Sequence, residues 1–376
     1  MSSLEEHITE VEDEIHRTKY NKATQLHIGR LKAKLAVLRL ERETRAKGKG
    51  GGTGYSVRKS GHATVGLVGY PSVGKSTLLN RLTAAESETG AYDFTTLTII
   101  PGMLRWGGAS IQILDMPGLV PGASKGKGRG REVISVVRST DLILFLIDPD
   151  HSNLRALQAE LEGAGVRINQ RPPRIVVQRG DRGGLTVSST VRLTHLAGGL
   201  AAQIAREFGV HNGSIVIRED ATADQLIDVL AGNRVYVVAL NAVNKAEGLT
   251  ADQRAKLVVD LAPAEPIFIS AREKQGLEAL VDRIGGSLKF IRIYMKPPGL
   301  PPDKEEPLIL RNGDTITELL RRLPGDLHRT FRAAQIWGPS ARFPGQTVGR
   351  DHVLEDEDIV TVVVARGTAR AVAEAP

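Results

Sequence analysis

With 376 residues, 41% of them apolar and 25% charged, the chain has material for two or three cores and is too apolar for wholesale disorder. It holds no cysteine, which excludes disulfides, thiol nucleophiles and thiolate zinc sites, and no run nears the ~18 apolar residues of a membrane span. Fifty basic against 43 acidic residues leave a net charge of +7, which turns attention to polyanionic partners.

The opening stretch, MSSLEEHITEVEDEIH, is acidic and lacks the basic-then-apolar order of a signal peptide, so a cytoplasmic location is expected. Leu4, Ile8, Val11 and Ile15, then Leu31, Leu35 and Leu38, recur at three- and four-residue steps and predict helix over 4–45. Asn21 and Gly29 weaken the middle, which favours a helical hairpin. Charge is split along it: residues 1–16 hold six acids and no Lys or Arg, and 17–60 hold thirteen bases against Glu41 and Glu43. Such a stretch suits nucleic acid, with a solvated helix face as the plainer reading. AKGKGGGTGYSVRKSG (46–61) reads as a linker or flexible arm.

From Ala63 short apolar runs alternate with helical stretches, the pattern of an α/β fold. Strands are predicted at 63–69, 109–115, 141–148, 235–241 and 266–270. About 85 residues separate Asp148 from Val235, too many for one crossover helix. They predict an inserted subdomain over about 165–230, with helices near 191–207 and 222–231. After the proline-rich 297–307, the runs 308–310, 315–323, 333–338 and 358–367 predict a compact β-rich module. The expected division is 1–60, 61–290 and 291–367.

The strongest chemical signal is Gly69-Tyr70-Pro71-Ser72-Val73-Gly74-Lys75-Ser76, running on to Thr77. It fits G-x-x-x-x-G-K-[ST], follows an apolar strand and opens a helical run. Glycines let backbone N–H groups approach phosphates, and the new helix points its N-terminus at negative charge. Lys75 is predicted to reach the β- and γ-phosphates and Ser76 to ligate Mg²⁺. The strand ASIQILD ends in Asp115-Met116-Pro117-Gly118. Asp115 is predicted to hold Mg²⁺, directly or through water, and the Gly118 amide to sense the γ-phosphate. Between these motifs, Thr96, favoured over Thr95, is the candidate second protein ligand to the metal. Asn244-Lys245-Ala246-Glu247 follows another apolar strand and resembles the N-K-x-D motif that reads a guanine base, with Ser270 and Ala271 completing the base pocket.

Taken together, GYPSVGKSTLLNRLT, YDFTTLTIIPG, DMPGLVPGASKGKGRGREVIS, REDATADQLIDVLAGNRVY and NKAE resemble the developmentally regulated GTP-binding (DRG) family, of the Obg branch of translation-factor-related GTPases. The resemblance covers nearly the whole chain and implies a P-loop GTPase domain with an inserted α/β subdomain, an N-terminal helical hairpin and a C-terminal β-grasp-like TGS domain. It implies GTP binding, slow hydrolysis to GDP and phosphate, Mg²⁺, and association with ribosomes and RNA. Eukaryotic members also use a dedicated stabilising partner protein. No membrane or DNA partner is expected.

Two departures bear on mechanism. Family members usually carry Asp where this chain has Glu247, and an Asn-x-x-Glu motif looks like the YchF-type branch, which prefers ATP. The expected preference is for guanine; the alternatives are a YchF-like ATPase and an RNA- or ribosome-binding factor with a structural nucleotide. Leu119 stands where Ras-like proteins place a water-positioning Gln, which predicts low intrinsic turnover raised by K⁺, a partner or the ribosome. The K⁺ route is disfavoured by Ser72, which stands where the best K⁺-dependent GTPases have Asn. Lys125, Lys127, Arg129 and Arg131 follow between glycines, and no single one is assigned a role.

Overall fold

The computed structural model describes residues 4–19, 21, 24–48, 60–83, 100–116, 129–149, 154–196, 199–325 and 327–364. In chain order, α1 (Leu4–Arg17) and α2 (Gln25–Gly48) precede β1 (Ala63–Val68), α3 (Lys75–Thr83), β2 (Ile100–Trp106) and β3 (Ala109–Asp115). Then come α4 (Arg129–Val137), β4 (Leu142–Ile147), α5 (Leu154–Gly163), β5 (Val166–Ile168), β6 (Ile175–Arg179) and β7 (Leu185–Ser189). These lead to α6 (Leu200–Glu207), β8 (Gly213–Ile217), α7 (Ala223–Ala231), β9 (Val235–Val243), α8 (Ala251–Asp260), β10 (Ile267–Phe268) and α9 (Leu277–Leu288). The last elements are β11 (Phe290–Met295), β12 (Leu308–Arg311), α10 (Ile316–Arg322), α11 (Leu327–Thr330), β13 (Phe331–Trp337), β14 (Gln346–Val348) and β15 (Ile359–Val364).

The chain divides into two compact units, Met1–Ser56 with Leu161–Val237 and Val57–Glu160 with Val238–Pro376. In the first, α1 buries Ile8 and Val11 while α2 buries Ile28, Leu31, Ala33 and Ala36, the helical periodicity that makes each an amphipathic surface. A turn joins them, in which the Thr24 N–H donates to Asn21 Oδ1 at 2.9 Å. A three-stranded sheet in the order β6-β8-β7, with β6 antiparallel and β7 parallel to β8, backs onto α6 and α7. Leu200, Ile204, Ile215, Ile217 and Leu226 form its core. The helix expected from 191 starts only at Leu200, behind the left-handed Gly199.

Four cations of the basic stretch meet acids inside this unit. Arg30 faces Glu207 at 3.5 Å, Lys32 faces Asp224 at 2.7 Å, Arg39 faces Glu12 at 2.7 Å, and Arg42 faces Glu5 at 3.5 Å. These exposed pairs contribute little stability, but each sets an acid against one of the thirteen bases counted in the sequence. A buried pair lies under α7, where Asp228, 4% exposed, accepts from Arg167 and from Arg234.

In the second unit the strands run β10-β9-β4-β1-β3-β2, parallel except for the antiparallel edge strand β2. β1 and β4 are buried at every position, so they read as unbroken apolar runs. β9 crosses the division: its residues 235–237 pair with β5 and the rest with β4 and β10. The C-terminal module is a mixed sheet, β12-β11-β15-β13-β14, with α10 burying Ile316, Leu319 and Leu320 against Ile291, Ile293, Ile336 and Val360. Thr315 and Glu318 form a reciprocal cap at the start of α10, the side-chain pairing that satisfies two of the helix's orphan N–H groups.

Candidate functional site

All the described candidate site residues lie in the second unit, at the carboxyl ends of its parallel strands. That is where open α/β sheets place their ligands. The loop 69–74 leaves β1 and turns into α3, whose first residue is Lys75. Ser72, at φ 64°, and Gly74, at φ 94°, both take left-handed backbone, which folds the loop back over the helix N-terminus. At Gly74 no side chain is tolerated, because a Cβ would sit 2.4 Å from Asn244 Nδ2.

Lys75 Nζ donates to Gly69 O and Tyr70 O, each at 3.0 Å, so the ammonium is held across the mouth of the loop. Burial lowers its pKa and the nearby Asp115 charge opposes that, which makes this a cation for which anionic company is favourable. The Ser76 hydroxyl donates to Asp115 Oδ2 at 2.8 Å. Asp115 is 6% exposed, and its other oxygen, Oδ1, is buried with no hydrogen-bond partner among the described residues. A buried carboxylate oxygen of this kind costs free energy unless a cation or donor meets it. The pair therefore fits Mg²⁺: a hard cation takes a hydroxyl and a carboxylate oxygen together with phosphate oxygens.

The opposite end of the site is closed by Asn244. Its Nδ2 donates to Val73 O at 2.8 Å, and its Oδ1 accepts from the Ala271 N–H at 2.9 Å. One buried side chain thus ties the phosphate loop to the turn after β10. Ser270, 1% exposed, accepts from the Glu273 N–H at 3.0 Å and so fixes that turn. Lys245 sits in left-handed backbone at φ 59°, and its Nζ pairs with Asp148 at the end of β4. Glu247 lies exposed on a single 3₁₀ turn, Ala246–Gly248. Pro71, Ser72, Ser76 and Thr77 are exposed along the loop and first helical turn, Tyr70 is half-buried and Val73 is packed in the core.

Thr96, Gly118 and Leu119 lie outside the described residues, as does the rest of 84–99 and 117–128. Asp148 was missed by motif reading. Its only sequence signal is an acid closing an apolar strand, and its role shows only in the contact with Lys245.

Comparison with known proteins gives the family. The family model described as a 50S ribosome-binding GTPase matches residues 64–179, the model of that domain's C-terminal region matches 182–290, and the TGS domain model matches 291–364. A GTP-binding protein of Methanocaldococcus jannaschii is 51% identical over 96% of this chain and 93% of its own. The developmentally-regulated G-protein 3 of Arabidopsis thaliana is 44% identical over 96% and 99%, and the developmentally-regulated GTP-binding protein 1 of Xenopus laevis 42% over 96% and 100%. Among solved structures, the Schizosaccharomyces pombe YchF GTPase aligns over 81% of this chain and 99% of its own at 15% identity, with a TM-score of 0.46. With a P-loop GTPase domain, a TGS module and relatives above 40% identity along its whole length, the chain belongs to the developmentally regulated GTP-binding protein family.

Proposed function

We propose that the protein is a slow nucleotide switch that hydrolyses GTP to GDP and phosphate in association with ribosomes or RNA. The observation that carries the reading is the Lys75, Ser76 and Asp115 cluster at the mouth of the 69–77 loop, with Asp115 Oδ1 buried and unpartnered. Gly69 to Thr77 bind the phosphates, together with the Gly118 amide. Asn244, Lys245, Glu247, Ser270 and Ala271 surround the base. Ser76 and Asp115 are the residues that would hold Mg²⁺, with Thr96 as a further ligand, and the ion would neutralise charge on the β- and γ-phosphates. In this reading GTP orders the 91–98 and 116–131 loops, and hydrolysis releases them.

Leu119 cannot orient a water by hydrogen bonding, so intrinsic turnover is low and is raised by a partner, the ribosome or K⁺. Ribosome association is supported by the description of the matched family model and by the net charge of +7. We place the division of the chain at 1–60, 61–290 and 291–367, with the insertion at about 165–230, and the protein in the cytoplasm; among the described residues no helix is long and apolar enough to cross a membrane.

Glu247 keeps the carboxylate that receives the guanine ring N–H and amino group, on an arm one methylene longer. Affinities for GTP and ATP with Mg²⁺, in the parent and in Glu247→Asp, test the assignment. GTP should bind more tightly than ATP, and the substitution should widen the gap by up to about tenfold. Equal or tighter ATP binding by the parent overturns guanine preference. The switch is tested by ribosome sedimentation with GTP or GDP bound: a nucleotide-dependent ribosomal fraction is expected, and the same fraction with either nucleotide contradicts switching.

A further inference from the structure

The sheet of the first unit has one face packed on α6 and α7, through Ile175, Val177, Leu185, Val187, Ile215 and Ile217. Side chains alternate along a strand, so the intervening residues share the opposite face. Strand register arranges that face in three rows. Gln178 lies beside Ser214 and Thr186, and Val176 lies beside Val216 and Ser188. The ladder then runs one step further: the Arg218 N–H donates to Arg174 O at 2.9 Å and the Thr190 N–H to Ile217 O at 3.0 Å, which puts Arg174, Arg218 and Thr190 side by side.

Two arginines therefore stand directly across from each other on an exposed sheet face, a pairing that is unfavourable unless an anion bridges it. Among the described residues neither guanidinium has an ion pair, and none of the three rows contains an acid. The neighbouring Glu219 is already engaged, accepting from the Arg174 N–H and pairing with Arg171 at 3.3 Å. Around the arginines the face offers the hydroxyls of Thr186, Ser188, Thr190 and Ser214.

We propose that this open face of β6, β7 and β8 docks the sugar-phosphate backbone of structured RNA. The planar forks of Arg174 and Arg218 match phosphate oxygens bidentately, and the hydroxyl rows suit phosphate and 2′-hydroxyl groups. The face lacks aromatic residues for stacking bases, so it reads backbone and shape and not sequence. It also lacks the buried aromatic and apolar anchors that hold a protein partner, with Val176 its single strongly exposed apolar residue at 41%. The inference rests on the ribosome and RNA reading above and gives it a location.

The test uses the full chain with GTP and a fluorescein-labelled RNA duplex of about 20 base pairs. In Arg174→Gln/Arg218→Gln the affinity should fall about 10- to 100-fold, and the salt dependence should lose about two counterions. Arg206→Gln, an exposed charge on α6, should change neither. Parent-like circular dichroism and urea unfolding in all variants verify that the first unit, which carries the substitutions, is folded. A double variant with the parent's affinity and salt slope overturns the docking face while leaving the RNA reading standing. A parent that binds neither the duplex nor ribosomes overturns both. Displacement of the duplex by poly-glutamate at equal concentration of charge overturns the RNA assignment in favour of an acidic protein.

Discussion

The two ends of the proposed nucleotide site are built differently. At the base end, both polar atoms of the Asn244 amide have internal partners, and the phosphate loop and the turn after β10 hang from that one side chain. At the phosphate end, among the described residues, Asp115 has one oxygen bound to Ser76 and one with no partner, and Lys75 is held by two loop carbonyls. The base end is part of the fold's own framework. The phosphate end carries free energy of interaction that the protein alone does not realise. The difference teaches that residues of one site affect stability and affinity in different proportions.

The sharpest way to break this comparison is Asn244→Ala. It strips partners from the Val73 carbonyl and the Ala271 N–H, both buried, and should cost about 2–5 kcal/mol in urea unfolding as well as most GTP affinity. Lys75→Ala should do the reverse: GTP affinity falls at least about 100-fold, while unfolding stability stays within about 1 kcal/mol of the parent. If Lys75→Ala unfolds the protein as readily as Asn244→Ala does, the two ends are not distinct.

Asp115→Asn sharpens the phosphate end. It removes a buried charge whose Oδ1 lacks a partner, so stability should hold or rise, while the gain in GTP affinity on adding Mg²⁺ should shrink about tenfold. Asp148→Asn tests the outer wall of the base end. It weakens the hold on Lys245, whose side chain is 51% exposed, and should lower GTP affinity only about 3- to 10-fold with little change in stability.

Much of this was legible in the sequence, for a physical reason. A phosphate loop demands particular residues at fixed local spacing, so Gly69 to Thr77 stand out as candidates from local sequence alone, and Asp115 and Asn244 follow from ending or following apolar strands after that loop. Features set by distant contacts did not. β2 carries Pro101 and Gly102, which break a strand pattern. It is an edge strand, where a missing N–H is tolerated, and a Cβ at Gly102 would lie 2.5 Å from the Thr83 side chain on α3. The charge of the basic stretch looked unopposed because Glu207 and Asp224, which answer Arg30 and Lys32, are far along the chain. β6, β7 and β8 are five residues each, with apolar runs of at most three residues and outer rows rich in Ser, Thr and Gln, so they stayed below the length that marks a strand.

The smallest expected effect lies away from the site, at His62, which precedes the amino end of β1. Its Nδ1 accepts from the Ser110 N–H at 3.0 Å, and burial, followed by the Arg322 charge, holds its pKa below 6.5. The unfolded chain therefore binds more protons in the window just below 6.5, so this contribution is complete above that pH and is lost as pH falls. His62→Gln should flatten that acid-side slope of stability just below pH 6.5.

The most direct test of the account is a calorimetric titration of the purified chain with GTP in the presence of Mg²⁺, run beside Lys75→Ala and Asn244→Ala at a temperature where all three are folded. The account predicts one GTP per parent chain, no measurable binding in Lys75→Ala despite parent-like stability, and weakened binding in a destabilised Asn244→Ala. Parent-like affinity in Lys75→Ala would place the triphosphate elsewhere and contradict it.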